Sequence, residues 1–236
     1  MLKVDYVLCR PDRMDNYSYI ITDSDTDISA VIDPSEATPI IKKCDELGIK
    51  PQYILNTHHH FDHTDGNLEL AQKYGAKIVC NESDKHRIEG AEIFIKDNQS
   101  FALGDSVAKI IDVSAHTQGH IVFYFEQDKI LFTGDTLFNL CIGGLFEGTP
   151  KQMFTALSKI KAFPDDVMFY PGHEYTFSAA NFAHKHNNGN KSITDYLIKA
   201  KTNLETTGHV FPISLGEEKL CNPYLKATTL EEFTKL

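Results

Sequence analysis

Short apolar runs separated by polar turns open the chain, and their length and alternation read as strands. Strands are predicted near residues 2–9, 17–22 and 28–32, then a helix from about Ser35 to Leu47, a strand at 53–55, a helix from Asp65 to Tyr74 and a strand at 77–80. A similar succession returns later: strands near 107–113, 121–126 and 129–133, a helix from about Pro150 to Ala162 and a strand at 167–170. Thr149 followed by Pro150 has the form of an N-cap and an N1 proline, which sets that helix start. Two halves of this kind bury their apolar faces by stacking two mixed β-sheets with helices outside, an α/β architecture of the αβ/βα sandwich type. The stretch Glu82 to Ser100 carries few apolar anchors and is predicted as a helix and connecting loop over the sheet edge.

Beyond the second half the pattern turns helical. Phe177 to His186 reads as one helix, and Ser192 to Leu204 as another with Ile193, Tyr196, Leu197 and Ala200 on one stripe. Asn187-Asn188-Gly189-Asn190 is the turn between them. The expectation is therefore a sandwich domain over 1–176 and a short helical domain over 177–236 that forms a wall of any site beside it.

Chemistry concentrates directly after the strand at 53–55. Thr57-His58-His59-His60-Phe61-Asp62-His63 places four imidazoles and a carboxylate within six residues, on a strand-to-helix loop where α/β sheets hold ligands. In an extended loop His58 and His60 point one way and His59 the other, and Asp62 and His63 follow on the turning backbone. Imidazole with carboxylate suits zinc, iron or manganese better than a soft thiolate metal. A solvated histidine tract is the alternative for this segment alone. Against it stand His116, Asp135 and His173, each after a β-run and beside Gly or Pro, or shortly before Gly. With the first cluster they supply five His and two Asp, enough for two metals with water completing the coordination.

The order His-x-His-x-Asp-His, then His, Asp and His is similar to the metallo-β-lactamase superfamily over roughly residues 1–176. The resemblance implies one divalent metal held by His58, His60 and His116, a second held by Asp62, His63 and His173, and Asp135 bridging, with zinc the first choice and iron or manganese the others. Within the superfamily, Asp15-Asn16-Tyr17, Gly143-Gly144-Leu145-Phe146-Glu147-Gly148-Thr149 and His173-Glu174-Tyr175-Thr176 resemble glyoxalase II, the hydroxyacylglutathione hydrolases. That resemblance implies hydrolysis of S-D-lactoylglutathione to D-lactate and glutathione, in methylglyoxal detoxification. Tyr175 matches a tyrosine that contacts the glutathione moiety in that family. Gly144 and Phe146 occupy substrate-side positions where the family usually has a basic residue and a tyrosine, so charge and hydroxyl are both missing there. The family's C-terminal helix brings basic residues to glutathione, and the chain to Leu236 is read as lacking it; its only arginines are Arg10, Arg13 and Arg87.

The expected mechanism derives from the metal pair. Water shared between two divalent ions is acidified from a bulk pKa near 16 to about 7 in the zinc case. The resulting hydroxide is the nucleophile on the thioester carbonyl, and the thiolate leaves without a strong general acid. Asp62 and Asp135 serve as ligands that also orient the water. His59 and His120 are read as structural groups, and Thr57 and Thr136 as hydrogen-bond partners of ligating imidazoles.

Composition changes this picture little. The net charge of −10 argues against a nucleic-acid partner and a nuclease activity, while the resemblance implies a small-molecule thioester, a glutathione conjugate first, as the partner of a monomer. Five cysteines without a close pair read as small reduced core residues. The run Leu2 to Leu8 has neither signal nor transit character and no apolar run is long enough to span a bilayer, so the expected place is the cytoplasm and not a membrane. Other readings on this scaffold are a thioesterase for another thiol, a lactonase or a persulfide dioxygenase; from a different class, a non-catalytic metal-binding protein.

Overall fold

In the computed structural model, which describes residues 1–11, 13–187 and 191–236, the expected strands, with further ones at Ala91–Ile95, Ser100–Leu103 and Ile213–Ser214 that the pattern does not show, form two six-stranded mixed sheets. The first begins as an antiparallel meander of β1 (Leu2–Cys9), β2 (Asn16–Asp23) and β3 (Ser29–Ile32). It continues in parallel through β4 (Tyr53–Leu55), β5 (Lys77–Asn81) and β6 (Ala91–Ile95). Parallel pairing needs crossovers. Helix α1 (Ala37–Leu47) supplies the first, and a short α2 (Phe61–Thr64) with α3 (Asn67–Tyr74) supplies the second.

The second sheet has the spatial order β14-β13-β10-β9-β8-β7. Its antiparallel part is β7 (Ser100–Leu103), β8 (Ser106–Asp112), β9 (Ile121–Phe125) and β10 (Ile130–Gly134). After a small hairpin of β11 (Leu137–Phe138) and β12 (Cys141–Ile142), helix α4 (Pro150–Lys161) carries the chain to β13 (Met168–Pro171), parallel to β10. Thr149 caps α4 with a reciprocal capping box through Gln152, and Pro150 sits in the first turn.

Burial explains the apolar runs. On β2 and β4, Ile21 and Leu55 join the core between the sheets while the adjacent Ile20 and Ile54 face a second core under α1 and α3 with Ile40, Cys44 and Leu70. Both faces are covered, so these strands read as continuous apolar segments rather than alternating ones. All five cysteines are free, and only Cys141 is not fully buried.

Three expectations need correction. The segment 82–100 is not a helix and loop: after a 3₁₀ turn at Glu82–Asp84 it forms β6, whose Glu92 and Phe94 face solvent and whose Ile95 is buried. It is an edge strand half in water, which explains its sparse apolar anchors. The helix predicted from about Asp65 to Tyr74 begins at Asn67, after Gly66, whose N–H donates to Pro34 O at 2.9 Å, and an unpredicted single turn, α2, precedes it. The tail carries more than the two helices α5 (Thr176–His186) and α6 (Lys191–Thr207). It adds β14 (Ile213–Ser214) to the second sheet, then α7 (Leu215–Cys221), α8 (Pro223–Lys226) and α9 (Leu230–Phe233). Residues 188–190 of the expected turn lie outside the described residues. Among the described residues no helix is long and apolar enough to cross a membrane.

Candidate metal centre

The loops after β4, β8, β10 and β13 open at one edge of the sandwich, and each delivers part of one polar cluster. His58 and His60 come from the first loop, Asp62 and His63 from α2, His116 from the loop after β8, Asp135 from the residue after β10 and His173 from the loop after β13. One donor atom from each of His58, His60 and His116 lies within 4.8 Å of the others, and the same holds for Asp62, His63 and His173. Asp135 stands between the groups: its Oδ1 is 3.3 Å from His63 Nε2, and its Oδ2 is 3.2 Å from His173 Nε2 and 3.5 Å from His116 Nε2. All seven residues singled out in the sequence are therefore brought together. His59 points away, 3.6 Å from Asp84 and 3.5 Å from Glu147.

The imidazoles are aimed by what holds their outer nitrogens. His116 Nδ1 lies 2.6 Å from Gly144 O, His173 Nδ1 is 2.7 Å from Met14 O, and His63 Nδ1 is 3.1 Å from Asp33 Oδ2. Thr57 Oγ1 is 3.0 Å from His58 Nδ1 and donates to Asp33 Oδ2 at 2.6 Å. With Nδ1 occupied in this way, Nε2 is the nitrogen presented to the centre. Asn16 donates its amide to Asp62 Oδ2 at 2.9 Å. The Asp135 N–H donates to His120 Nε2 at 3.0 Å, and Thr136 Oγ1 lies 3.3 Å from His120 Nδ1.

Thr57 thus partners a proposed ligand imidazole, as the sequence pattern expects, and His120 is a structural group; Thr136 instead partners His120, which is not among the seven. Asp33 and the Met14 carbonyl are not singled out by that pattern. For Asp33 the available signal is a carboxylate at the end of β3, the same kind of position that draws attention to Asp135.

A divalent cation fits these donors. His58 Nε2 is buried with no hydrogen-bond partner, and Asp135 Oδ1 lacks a bond of good geometry although His63 is near. Buried polar atoms are rarely left so, and aiming several at one point suits an ion. The charges agree. Burial, then the neighbouring imidazoles, drives His58 well below the ordinary imidazole value, and burial also lowers His60 and His116. Burial opposes charge at His63 and His173 too, but Asp135 outweighs it and raises both. Asp135 is itself held well below the carboxylate range against its burial, by His173 and His63. An anion this deep demands positive charge. The fold with these His and Asp clusters implies a divalent metal cofactor.

A cavity of about 400 Å³ opens over the centre. Tyr175 stacks on His173 at 5.0 Å between ring centroids, and Phe146, 73% exposed, leans edge-on over His60 and His116. Two glycines are demanded by closeness: a Cβ on Gly143 would lie 1.8 Å from Asp135 O, and one on Gly172 2.3 Å from Asp135 Oδ1. Glu147 accepts from Arg87 at 2.8 Å and from the Gln118 N–H at 2.6 Å, tying the loop after β12 to the loop after β8. No lysine or arginine is among the described residues lining this cavity.

Two family models cover the chain nearly end to end: Metallo-beta-lactamase superfamily over residues 11–173 and Hydroxyacylglutathione hydrolase C-terminus over 174–235. A hydroxyacylglutathione hydrolase of Pelagibacter ubique is 46% identical over 224 residues, spanning 94% of this chain and 93% of the relative. Another, of Methylococcus capsulatus, is 37% identical over 225 residues, spanning 95% and 88%. Among solved structures, ETHE1 from Myxococcus xanthus superposes with a TM-score of 0.74 at 21% identity over 98% of this chain and 88% of that one, a likeness of fold.

Proposed function

Because the chain belongs to the hydroxyacylglutathione hydrolase family within the metallo-beta-lactamase superfamily, we propose that it hydrolyses S-(2-hydroxyacyl) thioesters, with S-D-lactoylglutathione as its substrate. Its place would then be methylglyoxal detoxification. The observation that carries the reading is Asp135, whose two oxygens face His63 on one side and His116 and His173 on the other. One carboxylate facing both triads suits a two-ion centre: His58, His60 and His116 would hold one ion, Asp62, His63 and His173 the other, and Asp135 would bridge. Zinc matches the borderline donor set best, with iron and manganese compatible.

Bound divalent metal supplies acidified water and polarisation of a carbonyl. The chain's own residues do the rest. Asp33, Thr57, Gly144 and Met14 keep the ligand imidazoles in the tautomer that faces the centre. Asp62, pinned by Asn16, offers a carboxylate oxygen able to orient water. Phe146 and Phe138 form apolar walls that exclude bulk water from the acyl group, and Tyr175 presents its ring and hydroxyl to the thiol portion. The segment 177–236, next to Tyr175 in the chain, is read as the substrate-side unit.

The test is steady-state hydrolysis of S-D-lactoylglutathione beside S-D-lactoyl-N-acetylcysteamine by metal-analysed protein. The expected result is a clear preference in kcat/KM for the glutathione ester, and its loss together with bound metal in Asp135→Ala. No turnover of either ester would overturn the reading. One observation favours a second reading, a thioesterase for an uncharged thiol: no cationic side chain lines the described cavity to meet glutathione carboxylates. Equal turnover of the two esters would select it.

A further inference from the structure

A buried carboxylate outside the centre connects the C-terminal helices to it. Glu218 on α7 is fully buried. Its Oε1 accepts the Leu140 N–H at 2.6 Å and the Asn222 amide at 2.8 Å, and its Oε2 accepts the Tyr196 hydroxyl at 2.6 Å. Tyr196 in turn accepts the Asn139 amide at 2.6 Å, and Asn222 donates also to Cys141 O at 3.0 Å. Glu218, Tyr196 and Asn222 of the tail therefore grip residues 139–141, the turn after β11 and the first residue of β12.

The grip holds a strained residue close to the centre. Leu140 has φ +65°, a left-handed conformation unfavourable for a residue with a Cβ. Three residues on, Gly143 presses against Asp135 O, and the next carbonyl, Gly144 O, lies 2.6 Å from His116 Nδ1. The segment 140–144 is thus a short tether with one end on Glu218 and the other on the bridging aspartate and a ligand imidazole. An isolated carboxyl this deep is unfavourable, and burial pushes Glu218 up to about 7. An apolar side chain would fill the space at less cost but would leave the Leu140 N–H without an acceptor.

We propose that Glu218 is a positioning residue for the metal centre: by fixing Leu140 it sets the Gly144 carbonyl against His116 Nδ1 and so raises metal affinity at His58, His60 and His116. The proposal rests on the two-ion reading of the centre. Partners on the outer nitrogen of a ligating histidine are worth about 10–100-fold in metal affinity, and a group one step further out should reach the lower end of that range.

The test is equilibrium competition for zinc between the full chain and a chromophoric chelator. Glu218→Ala is expected to weaken zinc binding about tenfold. Glu218→Gln, which keeps an acceptor for Leu140, should hold zinc as the wild type does. Ile40→Ala, buried on α1 in the core away from residues 139–144, should lower Tm without moving zinc affinity. Should Glu218→Ala fail to fold, Tyr196→Phe keeps the ring, unpairs Oε2 and Asn139, and is expected to weaken zinc by roughly threefold, a smaller loss because the Leu140 contact survives. Unchanged affinity in the folded variant, or an equal loss in Ile40→Ala, overturns the proposal. Failure of the wild type itself to take up zinc overturns the metal reading and this proposal with it.

Discussion

A ligating histidine is only as well aimed as the group on its other nitrogen, and for His63, a proposed ligand, that group is Asp33. The carboxylate serves three donors: the Thr57 N–H at 2.7 Å, the Thr57 hydroxyl at 2.6 Å and His63 Nδ1 at 3.1 Å. Asp33→Asn keeps the shape but must turn an NH₂ toward one of them. If it faces Nδ1, that nitrogen becomes the acceptor and the proton moves to Nε2, where the proposed second ion should sit. The expected result is a 10–100-fold weaker second metal and, because the same Oδ2 accepts the Thr57 hydroxyl that holds His58 Nδ1, a smaller loss at the first, read by stepwise chelator competition. Two ions released together at the wild-type concentration would show that Asp33 does not set this tautomer.

The same residue shows what a sequence reveals at this scale. Metal chemistry restricts residue type, so the crowding of His58 to His63 and the lone His116, Asp135 and His173 are visible as identities. Asp33, before Pro34, looks like an ordinary turn carboxylate. Its role exists only because the fold brings it beside a histidine 30 positions away.

Elements are legible where several turns or alternations repeat. The start of helix α4 is legible from one dipeptide, Thr149-Pro150, because capping is local chemistry: Thr149 Oγ1 accepts the Gln152 N–H, and the Gln152 amide oxygen accepts the Thr149 N–H at 3.0 Å. Thr149→Ala removes the first bond and is expected to cost about 1 kcal/mol, a fall in Tm of roughly 2–4 °C for a domain of this size, with kcat/KM unchanged. Thermal unfolding and steady-state kinetics on one preparation check both, and a fall in kcat/KM would mean that the cap also steers the Gly143–Thr149 loop. Strand β6 is not legible, since an edge strand presents one apolar face and that face holds only Ala91, Ile93 and Ile95. The helices from Leu215 onward are seven residues or shorter, too brief to show a period; their starts are instead marked by Ser214, Asn222 and Thr229 as side-chain caps.

At the scale of the molecule, cohesion and chemistry are separately located. The apolar clusters between the sheets and beneath α1 and α3 contain none of the seven proposed ligands, which sit on loops and on the short α2 at one edge. This division predicts what metal removal does. Without ions the sandwich keeps its core, so a chelated chain should retain native far-ultraviolet circular dichroism and unfold cooperatively. It loses the linkage term, about 2.7 kcal/mol per site when free metal stands at 100 times Kd. For two sites that is about 5 kcal/mol, and at roughly 2–4 °C per kcal/mol the stripped protein should melt about 10–20 °C lower. Restoring zinc should raise Tm until two equivalents are bound. Saturation at one equivalent would remove the bridging role proposed for Asp135. Loss of secondary structure on chelation would mean that Asp135, anionic and buried, costs more than the two apolar cores can offset unless a cation sits beside it.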